Sequence, residues 1–307
     1  MRQTLFLIYI CFCFCTNLFS QRTAVEYTPG QFVISHEAQY NGTPYAGKGI
    51  PKLNKEFNIA CYIFIDSASQ QYQITEPEII NAIDLLNNNF KPLGFTFKAC
   101  EFNYIPNFLY NDYDFQSYGL EPFVLHRKKN TINLYLAGDV TGVGITLSDN
   151  GFASTPSDPH SFIYMSKISL KTTQALTHLT GHFFGLYDTH ETAFGTELVD
   201  DLSCRVTGDK MCDTNADIIQ ITSTTTPAPY FLNHFTSPSN GCKLISKFTD
   251  ANGKFYLPPT SNFMSSYYSI GGSPTINDCR CTFTPGQFKK MYLEVTNPTN
   301  TKLQELW

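Results

Sequence analysis

The run FNIACYIFID (Phe57–Asp66) is almost wholly apolar and rich in β-branched and aromatic residues, which predicts a central strand. In the following stretch, TEPEIINAIDLLNNNF, Ile79, Ile83, Leu86 and Phe90 recur at helical spacing, so a helix over Pro77–Phe90 packs one face on a sheet. Thr75 and Glu78 form a capping-box pattern at its start, with Pro77 in the first turn. GFTFKACEF (Gly94–Phe102) and TINLYLAG (strand over Thr131–Ala137) predict two more strands, and GFASTP and SFIYMSK two shorter ones. A second helical pattern runs from about Leu170 to Leu186, with Gly185 near its end, where glycine favours termination. The last helix opens in FTPGQFKKMYLEV, where Thr284 and Gln287 repeat the capping box around Pro285. Strand, helix, strand in that order predicts an α/β fold: a twisted, mostly parallel sheet with two packed helices. The Ser/Thr/Pro-rich ITSTTTPAPYFLNHFTSPSNG makes the later part of the chain loop-rich.

With 307 residues, 42% hydrophobic and 15% charged, the chain is long enough for a sizeable core in one or two domains. A net charge of −5, with no basic run beyond HRKKN (His126–Asn130), excludes nucleic acid and anionic membrane as main partners. The N-terminal MRQTLFLIYICFCFCTNLFSQ reads as a signal peptide over residues 1–20, cleaved between Ser20 and Gln21. Its apolar run is too short for a membrane span, and the expected product is secreted. Residues 21–56 read as an extended lead-in or short pro-segment, and 57–307 as the main domain. Of the ten cysteines, Cys11, Cys13 and Cys15 leave with the leader. In an oxidising compartment the remaining seven favour disulfides over thiolate zinc sites, and the odd number leaves one for a free thiol or another chain.

The chemistry concentrates in QALTHLTGHFFGLYDTHE (Gln174–Glu191). His178 and His182 are four apart, so a helix presents both imidazoles on one face, and Gly185 lets the chain turn back toward them. Against the zinc pattern H-E-x-x-H-x-x-G-x-x-H, His178, His182 and Gly185 match. Leu179 stands in place of the glutamate and Asp188 in place of the third histidine.

Downstream, GDKMCDTNAD (Gly208–Asp217), NFMSSYY (Asn262–Tyr268) and CTFTPGQFKKM (Cys281–Met291) follow in order. Together with ALTHLTGHFFGLYDTHE, they make the chain resemble the pappalysin family of metzincin zinc metalloproteases, cytophagalysin-type, from Phe57 to Leu293. The resemblance implies zinc as cofactor, with His178 and His182 as ligands and Asp188 or His190 as the third. It implies Met264 as a packing residue beneath the metal. It also implies a lower subdomain stapled by Cys204–Cys242 and by Cys212 with Cys279 or Cys281. A peptide or protein is the implied substrate or ligand, along the GFASTP edge.

The family's glutamate takes a proton from the attacking water and passes it to the leaving amine, which Leu179 cannot do. The family's transition-state tyrosine falls on Ser266 here, with Tyr267 next to it. Three readings follow: a secreted pseudoprotease that binds zinc or peptide; an active endopeptidase with Asp188 as ligand and a recruited base; or a structural histidine pair on a fold with another exported role. The joint change of base and third ligand favours the first.

Overall fold

In the computed structural model of the protein, the described residues are 49–66, 74–141, 151–156, 158, 160–172, 174–200, 203–217, 249–265 and 280–306. The predicted leader and most of the lead-in, together with Cys242, Ser266, Tyr267 and Cys279, lie outside them. The first strand, β1 (Lys55–Ile65), is buried on both faces: Phe57, Ile59, Cys61 and Ile63 enter one core, Ala60, Tyr62 and Phe64 the other. Strands covered on both sides read as near-continuous apolar runs, as this one does. Ile50 is already buried in the first core, so the packed chain begins upstream of Phe57.

Helix α1 (Glu76–Phe90) follows, and Glu78 accepts from the Thr75 N–H at 2.8 Å, as the capping pattern requires. A 3-10 turn over Lys91–Leu93 leads into β2 (Phe95–Pro106), which pairs in parallel with β1. Next come α2 (Phe108–Asn111), β3 (Asp112–Asp114), α3 (Phe115–Tyr118), α4 (Glu121–Leu125), β4 (Ile132–Ala137) and β5 (Asp139–Thr141), with β3 and β5 forming a small parallel pair. β6 (Gly151–Ala153) and β7 (Phe162–Ser166) complete the main sheet, whose order is β2-β1-β4-β7-β6. Its first four strands are parallel, and the edge strand β6 runs antiparallel to β7.

The predicted single helix over Leu170–Leu186 is two: α5 (Lys167–Thr172) and α6 (Ala175–Phe183). The break at Gln174 frees its side chain, whose Oε1 accepts from Asn89 Nδ2 at 2.9 Å, while Thr177 Oγ1 accepts from the same amide at 2.8 Å. Both bonds fasten α6 to α1. The chain ends in α7 (Pro285–Thr296) and α8 (Thr301–Glu305).

One face of the sheet carries α1, α6 and α7 around Phe57, Phe90, Phe95, Phe184, Phe283 and Met291. Phe184, fully buried, sits with its ring centre 5.3 Å from those of Phe57 and Phe95; a side chain of this size contributes about 1.5–3 kcal/mol on burial. The other face is an aromatic layer in which Phe123 stacks on Phe162 at 4.1 Å.

The expected cystine pairs Cys204–Cys242 and Cys212–Cys279 do not form: Cys204 is bonded to Cys212. Ser203 to Lys210 is a run of tight turns with φ of 55° at Gly208 and 62° at Lys210, which brings the two Cα atoms to 5.0 Å. Among the described residues, no helix is long and apolar enough to cross a membrane.

Candidate metal centre

Helix α6 carries His178 and His182 one turn apart, and both rings are oriented by backbone carbonyls. His178 Nδ1 lies 2.8 Å from the Phe263 oxygen and His182 Nδ1 lies 3.0 Å from the Leu186 oxygen. A carbonyl only accepts, so each Nδ1 carries the proton and each Nε2 of the neutral ring presents a lone pair. The two Nε2 atoms are 3.1 Å apart. Gly185, at φ 98°, turns the chain after the helix and brings Asp188 back. Asp188 Oδ1 sits 3.3 Å from Nε2 of His178 and 3.2 Å from Nε2 of His182.

Three observations fit this triangle to zinc. Its sides of 3.1, 3.2 and 3.3 Å are close to the edge of about 3.3 Å expected for a tetrahedron with metal–ligand bonds of about 2.0–2.1 Å. Asp188 Oδ1 is buried and accepts no hydrogen bond, although two imidazole nitrogens are beside it. Two lone pairs facing each other at 3.1 Å repel unless a cation lies between them. Burial pushes the Asp188 carboxyl up, but the imidazoles of His182, His190 and His178, when charged, more than offset this and hold it well below the usual carboxylate range. Among the described residues, the cluster able to share one ion is His178, His182 and Asp188. His190 is outside that cluster, and its buried Nδ1 makes no hydrogen bond.

Leu179, at the position of the family's base, is 2% exposed and belongs to the apolar core. It packs under the edge strand: a Cβ added to Gly151 would lie 2.7 Å from Leu179 Cδ1. The two carboxylates that follow the helix are engaged elsewhere. Glu191 Oε1 accepts from the Thr192 and Ala193 N–H groups at 2.8 and 2.7 Å, and Glu197 is buried against Gly208. Met264 is fully buried beneath α6, its sulfur against Gly181. Tyr267 lies outside the described residues.

The loop carrying Asp188 is pinned on both sides. The Thr189 N–H donates to the Met264 oxygen at 3.0 Å, and its hydroxyl donates to Asp217 Oδ2 at 2.6 Å. The Tyr187 ring lies under Lys290 Nζ, 4.3 Å from its centre, and edge-on to Phe194. Asp213, from the same GDKMCDTNAD segment, caps α7: it accepts from Thr284 Oγ1 at 2.9 Å and from the Gly286 N–H at 2.6 Å, a carboxylate at a helix N-terminus. Sequence reasoning picked out these segments but assigned no task to Asp213, Asp217, Thr189 or the Phe263 carbonyl.

A mostly parallel sheet whose antiparallel edge strand packs on a two-histidine helix, with the turn at Met264 beneath that helix, is a metzincin-like fold. Among solved structures, mirolysin in complex with compound 9 shares that fold, with a TM-score of 0.50 at 14% identity over 81% of this chain and 96% of that one. Tannerella forsythia mature mirolysin with a cleaved peptide gives 0.48 at 14% identity over 81% and 96%. Archaemetzincin from Methanopyrus kandleri gives 0.30 at 16% identity over 45% and 78%. No protein-family model and no curated protein matches the sequence.

Proposed function

We propose that the chain is an exported, pappalysin-type metzincin domain that holds zinc through His178, His182 and Asp188 and binds extended peptide along β6, with hydrolysis impaired. The observation that carries this reading is Leu179, an apolar core side chain where the reaction needs a proton acceptor. The ligand set argues for retained metal, since each imidazole is oriented by a carbonyl and Asp188 supplies the third donor. When bound, zinc supplies a Lewis-acidic centre. The residues around it hold and orient a ligand, while Leu179 accepts no proton from an attacking water and gives none to a leaving amine. Losing a general base typically costs about 10²–10⁴-fold in rate. As the edge of the main sheet among the described residues, β6 offers backbone donors and acceptors that an extended peptide pairs with.

The test is the zinc content of the purified protein, followed by casein cleavage with and without chelator, for wild type and for Leu179→Glu. We expect bound zinc, negligible cleavage by wild type, and chelator-sensitive cleavage gained by Leu179→Glu. The intact ligand triangle favours one second reading, an active endopeptidase with a recruited base. Chelator-sensitive cleavage by wild type at ordinary rates would establish it and end the pseudoprotease reading. Export is tested separately, by sequencing the N-terminus of protein recovered from the medium; a start at Gln21 is expected.

A further inference from the structure

Two buried amides stand behind the metal centre and take no part in the chemistry above. Asn262 opens the methionine turn and Gln287 lies in the first turn of α7; they are 2% and 0% exposed. They face each other in a closed ring, with Asn262 Nδ2 donating to Gln287 Oε1 at 3.0 Å and Gln287 Nε2 donating to Asn262 Oδ1 at 3.1 Å. Each oxygen also accepts from the backbone: Asn262 Oδ1 from the Met264 N–H at 2.8 Å, Gln287 Oε1 from the Thr284 N–H at 2.9 Å. Those two backbone donors fix which end of each amide is oxygen, because an N–H has nothing to give to an NH2 group. Neither amide flips without leaving a buried backbone donor unsatisfied.

Residue 263 is therefore held from both sides. Its N–H donates to the Thr282 oxygen at 2.8 Å, and its neighbours Asn262 and Met264 are locked to α7 through the amide ring. The Phe263 carbonyl is the group that receives the His178 Nδ1 proton. A displaced carbonyl lets the neutral ring take its other tautomer, and a ring with the proton on Nε2 cannot offer that nitrogen to a metal.

We propose that the Asn262–Gln287 amide pair is a positioning device for the metal centre, holding the Phe263 carbonyl where it keeps the His178 proton on Nδ1 and the lone pair on Nε2. The proposal rests on the reading of His178, His182 and Asp188 as a metal site. Its competitor is a structural one: Gln287 also completes the capping box with Thr284, so the pair would then serve only to start α7.

The experiment titrates the metal-free full chain with Co²⁺, reading the dissociation constant and the d–d absorption, and assigns the His178 tautomer by long-range ¹H–¹⁵N NMR. Gln287→Met breaks the ring with a side chain of similar volume. Asn262→Asp keeps an oxygen for the Met264 N–H but removes the donor to Gln287. Thr284→Val removes the capping hydroxyl and leaves the ring intact. Gln287→Met and Asn262→Asp are expected to weaken Co²⁺ binding by about ten- to a hundredfold, shift the absorption and mix the tautomers. Thr284→Val is expected to lower the melting temperature while leaving affinity, absorption and tautomer as in wild type. Folded ring variants that bind Co²⁺ like wild type with a single Nδ1–H tautomer overturn the proposal, and so do equal affinity losses in all three variants. Should Gln287→Met not fold, Asn262→Asp decides alone. A wild-type chain that binds no Co²⁺ overturns the metal reading, and this proposal with it, which sets that failure apart from the others.

Discussion

Gly181 sits inside α6, where glycine ordinarily costs about 0.5–1 kcal/mol relative to alanine. Here the sign reverses. A Cβ at this position would lie 2.4 Å from Met264 Sδ and 3.4 Å from a ring carbon of Phe283. Met264 is fully buried, so the sulfur can retreat only by displacing packed neighbours. Gly181→Ala is therefore expected to lower stability by roughly 1–3 kcal/mol, as overpacking does, measured by urea unfolding; a gain in stability would show that the methionine turn yields. The candidate ligands were legible in the sequence, because a histidine pair four apart is a local pattern and the glycine after it has a conformational signature. What orients them was not. Phe263 and Leu186 act through backbone carbonyls, and any residue type supplies a carbonyl, so no side-chain pattern marks them.

Among the elements, strands β1, β2, β4 and β7 and the two capped helices α1 and α7 could be read from alternation, helical spacing and Thr-x-x-Glu/Gln caps, all of which are local. The split between α5 and α6 could not, since it goes with tertiary bonds from Asn89 to Gln174 and Thr177, residues far apart in sequence. The cystine pairing escaped for a related reason: several connectivities suit one set of cysteines, and a run of turns decided among them. Peptide mapping of the non-reduced protein should recover Cys204 linked to Cys212, and reduction of that short loop should cost about 2–3 kcal/mol. A mapped Cys204–Cys242 peptide would contradict this pairing and the run of turns that produces it. The loop after α6 makes a sharper prediction. Thr189→Val keeps the shape but leaves the buried Asp217 carboxylate without its 2.6 Å donor. A loss of roughly 1–3 kcal/mol in urea unfolding is expected. On the proposed metal reading, weaker zinc binding should accompany it, because Asp188 is the preceding residue, and unchanged affinity would detach the loop's anchoring from the candidate site.

Across the whole molecule, the ends of the parallel strands meet at a buried cation. Lys167 starts α5, is 4% exposed, and its Nζ donates to the Phe64 carbonyl at the end of β1 and to Asn111 Oδ1 at 2.8 Å. Burial pushes this lysine down from 10.5 to about 8. Between those values the unfolded chain binds the proton and the folded chain does not, so this group alone makes stability rise with pH from about 8 to 10.5. The aromatic layer and Cys61 work in the opposite direction. Burial raises Cys61, Tyr62 and Tyr110 to about 12 and raises Tyr135 and Tyr164 as well, so above pH 9–10 the unfolded chain sheds protons that the folded chain keeps. Those groups make stability fall with rising pH. Urea unfolding at about pH 7, 9 and 10.5 separates the two when wild type is compared with Lys167→Met, which lacks the compensating gain but retains every thiol and phenol. Both proteins should lose stability at the alkaline end, with the variant losing it more steeply, so that the difference between them moves in favour of wild type as pH rises from about 8 to 10.5. A difference that stays flat over that interval would mean the lysine is solvated in the folded state and that the strand ends do not close over it.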